Sequence, residues 1–276
     1  MPTLILTDIH GNLPALEAIL ATPEAKRCRR VISLGDHVNF GPQSRAVHQR
    51  LESLGAIMLL GNHEERLLRP EDEEFAGYNW QLLHFTARQM QGIDLHLPMD
   101  LREGSVIYTH GTPGDPYHLL YPAEVPAALE ELPEGVTTMI SGHHHLSWDV
   151  RHNGKRAFNP GSAGVAEDGE GGIAPFAVME DDGTLTRHAA SYDLEVVARA
   201  FVDTGAAAAA PEMCRAVYHT MRTGEHMGVT KFVRFVIETG RDKGLSLGDE
   251  EAWKMADRRW HWAQEGDSEA FWRRWA

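Results

Sequence analysis

At 276 residues, with 42% hydrophobic and 24% charged side chains, the chain has a globular composition and enough length for one large domain or a domain with an appendage. Its 40 acidic against 26 basic residues give a formal net charge of −14, which argues against general nucleic-acid binding because that rests on neutralising phosphates with Lys and Arg. Cys28 and Cys214 lack a CxxC spacing, which sets aside a disulfide framework and a thiolate zinc site, and there is neither a basic n-region nor a run near the roughly 18 apolar residues of a spanning helix, so a cytoplasmic protein without membrane association is expected.

The first stretch, Leu4-Ile5-Leu6-Thr7-Asp8-Ile9-His10-Gly11-Asn12, reads as a short buried strand ending in a carboxylate and an imidazole. Side chains alternate along an extended chain, so Asp8 and His10 are expected to share a face and grip one ion. Gly11 permits a sharp turn, and Asn12 with Pro14 caps a helix through Leu20. Val31 to Leu34 is a second apolar run, ending in Gly35-Asp36-His37-Val38-Asn39-Phe40-Gly41-Pro42. After a helix over Ser44 to Leu54, a third run, Ala56 to Leu60, ends in Gly61-Asn62-His63-Glu64. Connections this short predict neighbouring parallel strands with right-handed crossovers.

Further along, Asn79 to Gln91 is helical, and strands over Leu97 to Leu101 and Ser105 to Thr109 lead into His110-Gly111. Thr112 to Pro122 is a stiff loop beside that histidine, placed to line a substrate pocket. A helix over Ala123 to Leu132 and a strand over Thr137 to Ser141 precede Gly142-His143-His144-His145. Two hairpins follow, turning at Asn153-Gly154 and at Asp181-Asp182-Gly183. This order predicts an α/β (α+β) protein: a four-layer αββα sandwich of two mixed sheets over residues 1–191, with a helical C-terminal extension over 192–276. In the extension, helices are expected over Leu194 to Gly205, Glu212 to Thr223, Val229 to Thr239 and Glu250 to Glu265, with Ala206 to Ala210 as a linker. Five of the seven tryptophans lie there, which reads first as a helical cap anchored by its aromatics and second as a homodimer surface or a lid.

Strand ends thus supply Asp8, His10, Asp36, Asn62, His110, His143 and His145, a carboxylate and imidazole mixture suited to first-row divalent ions. Asp36, alone in its motif, is the natural carboxylate to bridge two ions. The set Asp8-x-His10, Gly35-Asp36, Gly61-Asn62-His63-Glu64, His110-Gly111 and Gly142-His143-x-His145 resembles, in order, the calcineurin-like metallophosphoesterase superfamily, over roughly residues 3 to 190. Asn159-Pro160-Gly161-Ser162 resembles a turn common in its small bacterial members.

The resemblance implies that Asp8, His10, Asp36 and His145 hold one metal and that Asp36, Asn62, His110 and His143 hold the other. It also implies in-line attack by a shared hydroxide, with His63 as general acid. The metals expected are Mn²⁺ or an Fe/Mn mixture, with Zn²⁺, Ni²⁺ or Co²⁺ as alternatives. Phosphoprotein phosphatases of the superfamily carry Asp-Arg where this chain has Asn39-Phe40, whereas Gly-Asp-x-Val followed by Gly-Pro resembles the bacterial phosphodiesterase branch. A phosphodiester or small nucleotide is therefore the expected substrate, with dinucleoside polyphosphate hydrolysis or phosphomonoesterase activity as the alternative. A non-catalytic protein-binding scaffold is the weaker reading, because no ligand and no acid is missing. Arg66, Asn12 and His37 are expected at the substrate. Glu64 is assigned a structural role, and His48, His84, His96, His152, His188, His219, His226 and His261 are read as surface or core residues.

Overall fold

The computed structural model describes residues 2–276. Ten strands are found among them: β1 (Thr3–Leu6), β2 (Arg30–Ser33), β3 (Ile57–Met58), β4 (Asp100–Glu103), β5 (Val106–Thr109), β6 (Thr138–Ile140), β7 (Trp148–His152), β8 (Lys155–Asn159), β9 (Ile173–Met179) and β10 (Leu185–Ser191). They form two mixed sheets, in the orders β10-β9-β1-β2-β3 and β4-β5-β6-β8-β7. β1, β2 and β3 are parallel neighbours, with Leu4 opposite Val31 and Ile32 opposite Ile57. β5, β6 and β8 form the parallel centre of the second sheet, and β4 and β7 close its edges antiparallel.

Alternation along β1 explains the layers. Ile5 points inward, where Ile32, Leu34 and Leu59 meet Tyr108, Ile140 and Phe158 of the opposite sheet. Leu4 and Leu6 point outward onto Leu16, Ile19, Val47 and Leu51, which lie on the helices Leu13–Ala21 and Ser44–Ser53. Ile107, Met139 and Ala157 make the equivalent outer contact with Val125 and Leu129 of the helix Val125–Glu130. A strand buried on both faces needs an apolar run, which Leu4, Ile5 and Leu6 of β1 supply. The result is the expected αββα sandwich with additional C-terminal helices.

Beyond β10 the expected helices form with two changes. Ala206–Ala209 is helical rather than a linker, as the high helix propensity of alanine favours, and the helix expected to reach Glu265 is Glu250–Asp257. It stops there because the Asp257 carboxylate is drawn inward. It accepts from Trp262 Nε1 at 2.9 Å, from Ser268 N at 2.6 Å and from Ser268 Oγ at 2.7 Å. Arg215, on the helix Pro211–Thr223, pairs with it at 3.1 Å and donates to the carbonyls of Gly266 and Trp262. Its guanidinium also lies over the rings of Trp262 and Phe271.

Trp253, Trp262 and Trp272 are buried, and Trp260 and Trp275 are half-buried, so the tryptophan-rich stretch is core material of the extension. Val197 and Phe201 pack with Leu82, Phe85 and Val165, joining the extension to the sandwich. No helix among the described residues is long and apolar enough to cross a membrane. Both cysteines are free thiols.

Arg215 and Asp257 are each 2% exposed, so removing one leaves the other buried and unpaired. Asp257→Ala is expected to lower the unfolding free energy in urea by about 3–5 kcal/mol. Arg27→Ala, which removes the surface partner of half-buried Glu180, is expected to leave the urea midpoint at the wild-type value.

Candidate dinuclear metal centre

The strands stop short of the ligands. β1 ends at Leu6, and Asp8 and His10 lie beyond it with φ of 52° and 48°, so strand alternation is not what sets them on one side. Of the nine non-glycine residues with positive φ among those described, seven lie in these loops: Asp8, His10, Asp36, Asn39, Phe40, His143 and His145. A left-handed conformation costs an ordinary residue roughly 1–2 kcal/mol, and it persists only where surrounding bonds impose it. Those bonds run between loops. Asp8 N donates to Gly35 O, His10 N to Asp36 O, Gly41 N to His10 O and Gly164 N to Asp8 O, at 2.8–3.1 Å.

Three side chains complete the clamp. Glu64 is fully buried and its carboxylate accepts from the backbone N–H groups of Asp36, His37, Val38 and Gly61 at 2.8–3.2 Å, tying the second loop to the third. Ser162 Oγ donates to Asp8 O, and Asn159 Nδ2 donates to Gly142 O, both at 2.8 Å. Glycine is required at two of the crossings. A Cβ on Gly61 would stand 2.1 Å from Asp36 Oδ1, and one on Gly142 would stand 1.9 Å from Thr7 Oγ1.

These loops bring all seven expected ligands together. Asp8, His10 and His145 form one group and Asp36, His110 and His143 another. In the first, His10 Nε2 and His145 Nε2 are 3.0 Å apart, and Asp8 Oδ1 lies 3.5 Å from His145 and 3.9 Å from His10. In the second, Asp36 Oδ2 lies 3.3 Å from His110 Nε2, and one amide atom of Asn62 lies 3.0 Å from Asp36 Oδ2 and 3.1 Å from both His110 Nε2 and His143 Nδ1. Asp36 Oδ2 is also 3.9 Å from His10 Nε2, so a single carboxylate oxygen faces both groups.

The donor set fits two divalent ions. Asp8 Oδ1 is buried without a hydrogen-bond partner among the described residues, and lone-pair atoms face one another where hydrogen bonds alone cannot satisfy them all. The charges behave accordingly. Burial would raise the Asp36 carboxyl, but the imidazoles of His110 and His63 outweigh it and hold it well below the usual range. Burial depresses His110 and His145, yet Asp36 beside the one, and Asp8 and Glu167 beside the other, hold them up to about 9 and about 10. Burial keeps His10 and His143 down at about 4. Cations and protons therefore compete for the same lone pairs.

Residues 1–182 match the family model described as the calcineurin-like phosphoesterase superfamily domain. The chain belongs to that superfamily. It is a phosphoester hydrolase of a metal-dependent family. It is 26% identical over 194 residues to the phosphodiesterase YfcE of Escherichia coli, covering 66% of this chain and 89% of that protein. It is 25% identical over 191 residues to the uncharacterized protein MJ0912 of Methanocaldococcus jannaschii, covering 60% and 77%. A metallophosphoesterase structure from Sphaerobacter thermophilus superposes with a TM-score of 0.68 at 25% identity, covering 80% of this chain and all of that one.

Within this phosphoesterase, the three residues expected at the substrate are placed differently from one another. Asn12 is fully buried as a helix cap: its Oδ1 accepts from Ala15 N at 3.1 Å and its Nδ2 donates to Gly164 O at 2.8 Å, so neither end is free for a ligand. His37 is also fully buried and turns away from the ligand groups, its Nε2 2.9 Å from His48 Nδ1. It is held there by Glu64, whose Oε1 accepts from His37 N at 2.9 Å and lies 3.1 Å from His37 Nδ1. Arg66 does reach the centre, its Nη1 2.9 Å from the outer amide atom of Asn62. The rings of Tyr117 and Trp80 flank its guanidinium at 5.2 and 5.8 Å. Tyr117 comes from the stiff loop, and its carbonyl lies 3.3 Å from His143 Nε2.

One supporting residue has no sequence signal. Glu167 stands in a run, Glu167-Asp168-Gly169-Glu170, that reads as a solvated loop, yet it is buried with its Oε1 3.4 Å from His145 Nδ1. Its other oxygen accepts from Met227 N, in the extension, at 2.6 Å. A carboxylate behind a ligating imidazole fixes the ring's orientation and basicity. Glu167→Gln is expected to weaken metal binding by about 10- to 100-fold in a Mn²⁺ titration while the circular dichroism spectrum is unchanged.

Proposed function

We propose that the phosphoesterase hydrolyses a phosphodiester or a small nucleotide, with Asp8, His10, Asp36 and His145 holding one divalent ion, Asp36, Asn62, His110 and His143 the other, and His63 as general acid. Mn²⁺ or an Fe/Mn pair suits this imidazole and carboxylate set. When bound, the two ions supply Lewis acidity at phosphoryl oxygens and an activated water.

The observation that carries this proposal is the placement of His63. Its Nε2 lies 3.8 Å from Asp36 Oδ2, at the junction of the two ligand groups, and its Nδ1 lies 2.8 Å from the Asn39 amide nitrogen. Donation by Asn39 makes Nδ1 the acceptor and leaves the proton on Nε2, facing the site. Burial holds His63 well below its ordinary range, although Asp36 opposes the shift. A bound phosphoryl anion provides the opposite charge that favours the imidazolium, so protonation is coupled to substrate.

Arg66 supplies charge to the substrate. The Asn62 amide oxygen lies 3.1 Å from His110 Nε2, turned toward the site where it can ligate a cation, and the amide nitrogen is left facing Arg66 Nη1 at 2.9 Å. Arg66 finds no acceptor there and is free to pair with a phosphoryl oxygen. Phe40 packs its ring 4.8 Å from His10 and 4.7 Å from His63, putting an apolar surface where the phosphoprotein phosphatase branch carries arginine. Less fixed positive charge favours a diester monoanion over a monoester dianion. The Trp80 and Tyr117 rings beside Arg66 favour, as a second reading, a base-bearing substrate such as a dinucleoside polyphosphate.

The test is turnover by the Mn²⁺-loaded enzyme of a bis-aryl phosphodiester, the matching monoester and a dinucleoside tetraphosphate. Faster diester turnover is expected, and Asp36→Ala should abolish it. Dinucleotide cleavage outpacing the diester would favour the second reading, and faster monoester turnover would overturn the diester preference. His63→Ala should lower kcat by about 10²- to 10⁴-fold for an alkyl leaving group and by less for a nitrophenolate, which needs little protonation. An equal loss for both leaving groups would rule out the acid role.

A further inference from the structure

A second kind of ligand cluster lies in the C-terminal extension. His219 is on the helix Pro211–Thr223, Glu225 follows the left-handed cap at Gly224, and His261 follows the helix Glu250–Asp257. His219 Nε2 and His261 Nε2 are 3.0 Å apart, and Glu225 Oε2 is 3.6 Å from His219 Nε2. Zinc bonds of about 2.0–2.1 Å in tetrahedral array place neighbouring ligand atoms roughly 3.3 Å apart, and these two separations bracket that value.

A hydrogen bond between the rings explains less of this geometry. It uses one N–H and leaves Glu225 Oε2 beyond hydrogen-bond distance of the ring nitrogen it faces. His219 Nδ1 is buried without a partner among the described residues, so Nε2 is the outlet of that ring. Burial, and then the neighbouring His261, hold His219 down at about 4, which keeps its lone pair available. The surrounding cations are already engaged: Lys231 Nζ holds Glu225 Oε1 at 2.7 Å, leaving Oε2 for the cluster, and Arg222 pairs with Glu265 at 3.1 Å.

We propose that His219, Glu225 and His261 form a third divalent-cation site, of zinc class, separate from the dinuclear centre. Three protein ligands leave the fourth position to solvent at exposed His261, so the ion is exchangeable. The site ties two segments 36 or more residues apart in sequence and braces the turn that carries Met227 onto Glu167. It does not depend on which phosphoester the enzyme cleaves.

The test uses full-length, tag-free protein stripped by chelation and dialysed against micromolar Zn²⁺, with bound metal counted by mass spectrometry. His261→Gln is exposed and conservative, and His219→Gln is a second, independent probe. Either substitution is expected to reduce bound zinc by one ion per chain, both in the wild type and in an Asp8→Ala/Asp36→Ala background that disables the dinuclear centre. In that background, zinc should raise the thermal midpoint of the parent but not of the His261→Gln variant. Unchanged stoichiometry in His261→Gln, or zinc occupying the third site only at millimolar concentration, would overturn the proposal and leave a ring-to-ring hydrogen bond.

Discussion

Asp36 carries the constraint on which the rest of the site depends. Its Oδ1 accepts from His63 N at 2.8 Å, which orients the helix Asn62–Leu67, while its Oδ2 faces His10, His63, His110 and the Asn62 amide. A buried carboxylate of this kind is tolerable only with positive charge beside it, and here His110, held up to about 9, provides it. The same oxygen faces both groups of candidate ligands. Glu64 protects this arrangement from below by fixing the backbone that carries Asp36, and that uses all of its own hydrogen-bonding capacity on structure.

Convergence of loops, rather than of strands, is how the sandwich builds the centre. Parallel strands deliver chain to one edge, and the left-handed residues then turn each side chain inward. Backbone strain at seven non-glycine positions is held by hydrogen bonds between loops that are distant in sequence. The centre is consequently as rigid as the packing beneath it, which suits a site that must hold acceptor atoms close together before any ion arrives.

The extension reaches the centre through Glu167. Met227 and His226 meet Glu167, and Glu167 meets His145, so the tail ends in the outer surroundings of one ligand group. Its tryptophans and the Arg215–Asp257 pair make it internally firm. A tail with its own core can transmit a fixed position to Glu167, which a flexible strap could not.

Residue types at strand ends were sufficient to single out the seven side chains that the fold brings together, and to predict the αββα layering, because apolar periodicity and the chemistry of Asp, Asn and His are local properties of the chain. The sequence also placed the tryptophans in a helical unit and Glu64 in a structural role. What it could not determine was decided by tertiary contacts. Alternation along an extended chain was the wrong reason for pairing Asp8 with His10, since their left-handed φ values are imposed by Gly35, Asp36 and Gly164 from other loops. Asn12 and His37 looked available because their motif positions are adjacent to ligands, but burial against Gly164 and His48 consumes them. Glu167 and the His219, Glu225 and His261 cluster were invisible for the complementary reason. Their partners lie between 6 and 60 residues away, and only folding brings those lone pairs within reach of one another.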